Sequence, residues 1–363
     1  MAKKKLKIAQ IAPFWFDVPP KDYGGTERII SYLTEELVKR GHNVTLFASD
    51  KSKTKAQLVS PISSNLLKKI EYYCDPTFNA INNYVNAFVF QNAKKFDIIH
   101  SHASFFSFFF CDFVKTPTIH TIHNQLPRAR EVENELFRKY NYLNFVSVSN
   151  EFRSHFDLNY VETVYHGLLL KNFPFDKKGG KNLVWVGRPS RNKGELEAIK
   201  TAKKAKEKIL LVMSLRPDTA NYYKAKIKPE INENVDVVFN AKFEEVWKYY
   251  SKAKAFLFPM QWEEPFGLVI IESMACGTPV IAFDRGSAGE LISDEETGYL
   301  VSPQEGIDGL VRALKKLNSL NKNEYLSMRK KCRERVEKYF TTEKMADNYE
   351  KLYYKIINKS KLL

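Results

Sequence analysis

Two carboxylates open the chemical argument. Glu264 and Glu272 stand eight residues apart in the stretch EEPFGLVIIESMACGTPVIAF, and eight residues of helix make close to two turns, so both side chains can project from one face. Two acceptor groups spaced in that way suit the hydroxyls of a ligand with two sugar rings. Between them, Pro265 and Gly267 permit a tight, close-approaching backbone. The N–H groups of Phe266, Gly267 and Leu268 would then stand at a helix N-terminus, with the positive end of the dipole behind them, where a phosphate or a sugar hydroxyl fits. Glutamates at this spacing also occur on solvated helix faces. The setting of Glu272 argues for a ligand, because a charge inside LVIIESMAC is costly unless it is paired or bound.

A cationic loop is the second candidate. In Gly187-Arg188-Pro-Ser-Arg-Asn-Lys193-Gly194, arginine offers a planar fork to phosphate oxygens and lysine a point charge, and together they could neutralise a leaving diphosphate. Gly24-Gly25, ahead of a helix, can bring backbone N–H groups close to a phosphate or can simply form a tight turn. His123 ends the run TPTIHTIH, at the carboxyl end of a strand, while His120 three residues earlier can point to the core.

These groups need elements to hold them. Residues 255–283 parse by period as strand, polar loop, apolar-faced helix, glycine stop at Gly277 and second strand. In an open parallel sheet, ligands bind outside the carboxyl ends of strands. The first half begins with a strand at 6–12, an amphipathic helix at 26–40 with Ile29, Ile30, Leu33, Leu37 and Val38 on one face, a stop at Gly41 and a strand at 43–48. Further strands are expected at 97–101, 116–123 and 144–149, and 168–180 reads as a linker. Residues 52–95 suggest a helix pair, in which Leu66, Leu67 and Ile70 beside Lys68 and Lys69 read as a surface helix in preference to a membrane-surface one. The phenylalanine-rich run ASFFSFFFCDFV predicts a packed core helix. The second half starts with a strand at 181–186 and a helix at 195–207, and ends in helices near 306–317, 323–339 and 342–357.

Composition sets the bounds. A chain of 363 residues, 44% hydrophobic and 27% charged, is expected to be globular with two domains. The net charge of +15 and a pI of about 9.3 fit an anionic partner: a nucleotide diphosphate, nucleic acid, or an anionic membrane touched peripherally. Scattered lysines, with no aromatic-interleaved stripe, make nucleic acid the weakest of these. Cys74, Cys111, Cys276 and Cys332 lack metal-ligand spacing and read as reduced residues of a cytoplasmic protein. MAKKKLKIAQIAPFWF reads as a first strand and not a leader, since Lys7 and Gln10 interrupt the run and Pro13 ends it.

Glu264-Pro-Phe-Gly-Leu-Val-Ile-Ile-Glu272 followed by Ser-Met-Ala-Cys-Gly-Thr-Pro-Val-Ile-Ala resembles the glutamate–seven–glutamate signature of retaining nucleotide-sugar glycosyltransferases of family 4. The resemblance implies an α/β fold of the GT-B type: two Rossmann-like, doubly wound domains facing across a cleft, with a C-terminal helix crossing back to the first domain. It implies that Glu264 contacts the transferred sugar near the reacting carbon and that Glu272 binds the nucleotide ribose. Gly24 and Gly25 would face the donor β-phosphate and the acceptor, and His123 would lie beside the donor sugar. Gly187, Arg188, Lys193 and Gly194 match the family's diphosphate clamp residue for residue, and Ser149 and Arg153 match an element that partly serves packing. No metal ion or other cofactor is implied. The wording VPPxxYGGxER with LTEELxxRGHxVTLFAS resembles a bacterial subgroup described as glucosyl-transferring.

Two departures concern the nucleobase. LLVMSLRP at 210–217 and Val237-Val-Phe-Asn-Ala241 replace glycine-containing patterns that border the base in relatives. The expectation is therefore a hexosyltransferase using UDP-glucose, with domains at 1–168 and 169–341 and a returning helix at 342–363. An ADP-sugar enzyme resembling glycogen or starch synthases competes with it, as does a catalytically inactive nucleotide-sugar-binding or membrane-scaffolding protein. The acceptor is not legible.

Overall fold

The computed structural model of the chain describes residues 4–21, 24–63, 76–124, 131–154 and 156–361. It divides into two units, Met1–Gly167 with Thr342–Leu363, and Leu168–Thr341. The division falls one residue before the boundary read from the sequence. Leu168 is tied to the second unit by its N–H, which donates to Phe340 O at 2.8 Å, and by a bridge to Thr341.

The first unit is built on seven parallel strands, β1 (Lys7–Ile11), β2 (Asn43–Phe47), β3 (Gln57–Val59), β4 (Ile98–Ser101), β5 (Thr118–Thr121), β6 (Phe145–Ser147) and β7 (Tyr160–Thr163). Their order is β3-β2-β1-β4-β5-β6-β7. Strands covered on both faces need no polar alternation, which is why β1 reads KIAQI and is buried beyond its first residue. The order reverses between β1 and β4, and that switch point is where an open sheet leaves a crevice. The helix Gly25–Lys39 packs with Ile29, Ile30, Leu33 and Leu37 inward. The last helix, Thr342–Ser360, buries Met345, Ala346, Tyr349, Leu352, Tyr353 and Ile356, a stripe at helical period. Arg40 fastens it to the first helix, with Nη1 at 2.7 Å from Asp347 and 3.1 Å from Glu350. Such partly exposed pairs contribute about 0.2–1 kcal/mol each, so the apolar stripe dominates.

Two expectations give way here. An edge strand, β3, stands where the sequence suggested the start of a helix pair, and one helix, Pro76–Gln91, is described in that region. The basic segment around Lys68 and Lys69 and Cys74 lie outside the described residues. The phenylalanine-rich run is not one helix but a 3-10 turn, Ser104–Ser107, followed by a single helical turn, Phe108–Cys111. Aromatics crowd every side of that run, so one helix could not bury them together. The break turns Phe108 fully inward against Phe137, Tyr140 and Phe145, and leaves Phe113 82% exposed.

The second unit repeats the winding with β8 (Asn182–Gly187), β9 (Ile209–Met213), β10 (Val235–Phe239), β11 (Ala253–Phe258), β12 (Val280–Phe283) and β13 (Gly298–Val301) in the order β10-β9-β8-β11-β12-β13. Its switch point lies between β8 and β11. Arg329, fully buried, donates to the carbonyls of Asp176, Ser251 and Ala253, so its charge is spread over main-chain oxygens instead of one carboxylate. Among the described residues, no helix is long and apolar enough to cross a membrane.

Candidate active site

In the second unit the candidate groups gather at the carboxyl ends of β8 and β11. After β8 the chain makes a short turn, Arg191–Lys193, and enters the helix Glu195–Ala205 through Gly194 at φ 74. A Cβ at Gly194 would stand 1.9 Å from the carbonyl oxygen of Pro259, so only glycine allows the two loops to touch. Gln261 N then donates to Asn192 O at 2.9 Å and locks the approach. Its product is an ion pair: Lys193 Nζ lies 2.8 Å from Glu264 Oε2. Trp262 Nε1 donates to the same oxygen at 3.0 Å, and the Lys193 ammonium sits 4.8 Å from the Trp262 ring centre. Trp185 in β8 holds the other end of the lysine, donating from Nε1 to Lys193 O at 3.1 Å.

Arg188 turns elsewhere. Its Nη1 lies 3.5 Å from Asp218 Oδ2, at the start of the helix Pro217–Tyr222. The structure thus brings Lys193 and Glu264 together directly, and places Arg188 on the same loop facing a different carboxylate.

Glu264 is braced from behind by residues the sequence reading left unassigned. Gly286 N donates to Glu263 Oε2 at 2.7 Å, and Ser287 N donates to Glu264 O at 3.1 Å. A Cβ on Gly286, at φ 53, would come 2.4 Å from Glu264 O. Nothing in the local sequence of the loop after β12 signals that it props the carboxylate.

Gly267, at φ 84, caps the helix Leu268–Ala275, whose first N–H groups open at that end. Phe266, only 2% exposed, anchors the turn with its ring edge-on to Phe340 at 6.2 Å. One turn further on, Glu272 is half-buried and its Oε2 accepts from Tyr250 Oη at 3.3 Å. Burial, then the neighbouring Glu272 charge, pushes the Tyr250 phenol well up, so it remains a donor. Glu195, the first residue of its helix, is fully buried, and burial pushes its carboxyl up to about 7. In sequence it looked like an ordinary acidic residue at a helix start.

In the first unit Gly24 caps the Gly25–Lys39 helix at φ 148. A Cβ there would meet Pro20 at 2.8 Å and Glu27 Oε2 at 2.9 Å. Gly25 is exposed beside it, and burial pushes the Glu27 carboxyl up to about 7. His123 follows β5 and is not alone. Its Nε2 is 2.8 Å from His102 Nδ1, just past β4, and its Nδ1 is 3.4 Å from His166 Nε2, past β7. Burial pushes His120 and His123 down to about 3 and holds His100, His102 and His166 well below the ordinary imidazole range, so all five rings are neutral. Both ring nitrogens of His123 are engaged within the unit, and the residue is half-buried. His120 points into the core, as expected, 3.1 Å from Ser107 and edge-on to Phe108. Ser149 caps a helical turn through Phe152 N, and Arg153 donates to Thr163 Oγ1 and Tyr160 O, which makes both local packing residues.

Among the described residues, no group of three or more His, Cys, Asp or Glu is arranged to hold a metal ion. Cys111, Cys276 and Cys332 are free and buried, and burial pushes their thiols up to about 12.

Two doubly wound parallel-sheet units, each carrying candidate groups at its switch point, define the GT-B class of glycosyltransferases. The family profile described as glycosyl transferases group 1 matches residues 171–339, and that of glycosyltransferase family 4 matches residues 23–167. The chain belongs to glycosyltransferase family 4. It is similar in fold to sucrose-phosphate synthase from Thermosynechococcus elongatus, with a TM-score of 0.80 and 22% identity over 98% of this chain and 100% of that one. It is also similar to Anabaena HepE, solved in complex with UDP and glucose, with a TM-score of 0.72 and 15% identity over 96% and 99% of the two chains. Among curated relatives, the N-acetyl-alpha-D-glucosaminyl L-malate synthase of Bacillus anthracis is 37% identical over 101 residues, 27% of this chain and 26% of that protein. The chain spans between 26% and 54% of the length of the first curated relatives it matches.

Proposed function

We propose that this chain is a retaining hexosyltransferase that takes glucose from UDP-glucose and delivers it to an acceptor hydroxyl without a metal ion. The observation that carries the reading is the Lys193–Glu264 pair at 2.8 Å beside the glycine-capped start of the Leu268–Ala275 helix. A cation, a carboxylate and a helix N-terminus at one point provide for a diphosphate and for the sugar attached to it. The Anabaena protein solved with UDP and glucose supports the choice of UDP.

In this mechanism the bond from the anomeric carbon to the β-phosphate oxygen breaks, and its electron pair leaves with UDP. The acceptor oxygen bonds to the same face of the sugar while its proton passes to the departing phosphate. Lys193, Arg188 and the N–H groups of Phe266, Gly267 and Leu268 stabilise the charge growing on the diphosphate. Gly187, Gly24 and Gly25 let main chain approach the phosphates closely, and Glu272 takes the ribose hydroxyls. Glu264 accepts from a sugar hydroxyl near the reacting carbon, and His123 lies beside the same sugar. With two donors on Oε2, Glu264 is better suited to holding a hydroxyl than to attacking carbon. The reaction belongs in the cytoplasm, where nucleotide sugars are made, and the charge of +15 suits peripheral contact with an anionic membrane.

The test is turnover of UDP-, GDP- and ADP-sugars with a chelator present, read as free nucleoside diphosphate. UDP-glucose should turn over, Glu264→Gln should abolish turnover while UDP still binds, and Glu272→Ala should weaken UDP binding. Turnover that required added metal, a preference for another nucleotide, or a fully active Glu264→Gln would overturn the corresponding part.

A further inference from the structure

His123 is one link of a longer buried chain of polar groups. His102 Nε2 is 2.8 Å from Gln10 Oε1, in the neighbouring strand β1. Gln10 Nε2 donates to Tyr353 Oη, on the last helix, at 3.0 Å. The same hydroxyl is 2.7 Å from His100 Nδ1, His100 Nε2 is 2.7 Å from Thr121 Oγ1, and Thr121 Oγ1 is 2.9 Å from Tyr349 Oη, one turn before Tyr353. Gln10, His100, Thr121, Tyr349 and Tyr353 are each 1% exposed or less. No water can replace a missing partner there without the fold opening, so each link constrains the next.

A neutral imidazole donates through one nitrogen and accepts through the other. Gln10 presents Oε1 to His102, so His102 must donate from Nε2 and accept at Nδ1. His123 must then donate from Nε2 and accept at Nδ1, and His166 must donate to it from Nε2. On the other side, Tyr353 accepts from the Gln10 amide and gives its own proton to His100 Nδ1, so His100 too carries its proton on Nε2 and passes it towards Thr121. Reversing a single link would leave a buried donor or acceptor without its partner, so the links favour one common direction. His100, His102, His123 and His166 therefore share one tautomer.

We propose that Gln10 and Tyr353 are positioning residues that fix, through His102, the tautomer of His123 and with it the ring orientation in which His123 stands beside the donor sugar. The last helix is then part of the site's wiring as well as of its packing. The inference rests on the proposed role of His123, and its test separates the two.

Protein carrying 15N-labelled histidine, read by long-range 1H–15N correlation, reports the tautomer of each ring directly. The wild type should show His100, His102, His123 and His166 with the proton on Nε2. Tyr353→Phe, which removes one oxygen, and Gln10→Leu should turn His102 and His123 into tautomer mixtures. They should also lower the rate of sugar transfer by roughly tenfold with little change in donor KM, as expected for a misaligned group. Mixed tautomers among the four wild-type rings, or unchanged His102 and His123 signals in both variants, would overturn the proposal. His123→Ala with full turnover would overturn the role of His123 in transfer, while the spectra would still decide whether the chain sets its tautomer.

Discussion

All seven histidines of the chain fall between His42 and His166, in the first unit, and the second unit has none. The second unit offers ion-paired side chains instead, Arg188 with Asp218 and Lys193 with Glu264. One sheet end offers ion pairs and the other neutral, directional hydrogen bonds. The contrast matches the two demands of the proposed reaction: a diphosphate needs cations, whereas the sugar side needs neutral groups held in one orientation.

The contrast also predicts that the units answer acid differently. A ring whose pKa is depressed by folding binds fewer protons than in the unfolded chain, so its contribution is present above about 6.5 and is lost as pH falls below it. The loss is up to about 1.4 kcal/mol per pH unit for each ring. His100, His102, His120, His123 and His166 act together in this way. Glu27, raised to about 7, works in the opposite direction. Since a domain is stable by about 5–15 kcal/mol, the first unit should open near pH 5 while the second persists. Pulsed amide exchange at stepped pH, resolved by peptide, reads this, and simultaneous opening of both units would erase the comparison.

A smaller effect tests the charged side. Lys193→Met should lower the rate of transfer by about 10²–10³-fold, the range for losing one preorganised charge-stabilising group, and should leave the acid transition of the first unit in place. Smaller again is Glu195, fully buried with its carboxyl raised to about 7. Its ionisation opposes folding, so stability is lost as pH rises from about 4.5 to 7. Glu195→Gln should add on the order of 3 kcal/mol to the second unit at pH 8 and flatten that slope, as read by denaturant melts. Least of all, Gly267→Ala at φ 84 should cost about 1–2 kcal/mol of stability and disturb the helix start. Its added Cβ would also press Ile270 Cδ1 at 3.1 Å.

The charged half was the more legible in sequence. Glu264, Gly267 and Glu272 lie within one strand–loop–helix, and the Gly187–Gly194 loop follows a strand of its own, so local period finds the elements. The shared helix face read from the eight-residue spacing does not form, because Glu264 precedes the Leu268–Ala275 helix. What escaped was the bracing by Gly286 and Ser287, which depends on which strand lies beside β11. The histidine chain escaped for the same reason, magnified. Gln10 and His100 are neighbours by strand register, and Tyr353 arrives from the far end of the chain. A signal was nonetheless present: Gln10 inside an apolar central strand has to find a buried partner. The phenylalanine-rich run misled because its period fits a helix while its bulk does not fit one face.

The position of the last helix also bears on how the protein is made. Leu168–Thr341 is one continuous stretch, so the second unit can close as soon as it has left the ribosome, before the last helix follows it. The first unit is synthesised earlier yet finished later, because Tyr349 and Tyr353 emerge only after the whole of the second unit. Until then Gln10, His100 and Thr121 lack the hydroxyls that complete their chain. The nascent first unit has all seven strands yet must wait for its last helix, with the polar groups at its centre still unpaired.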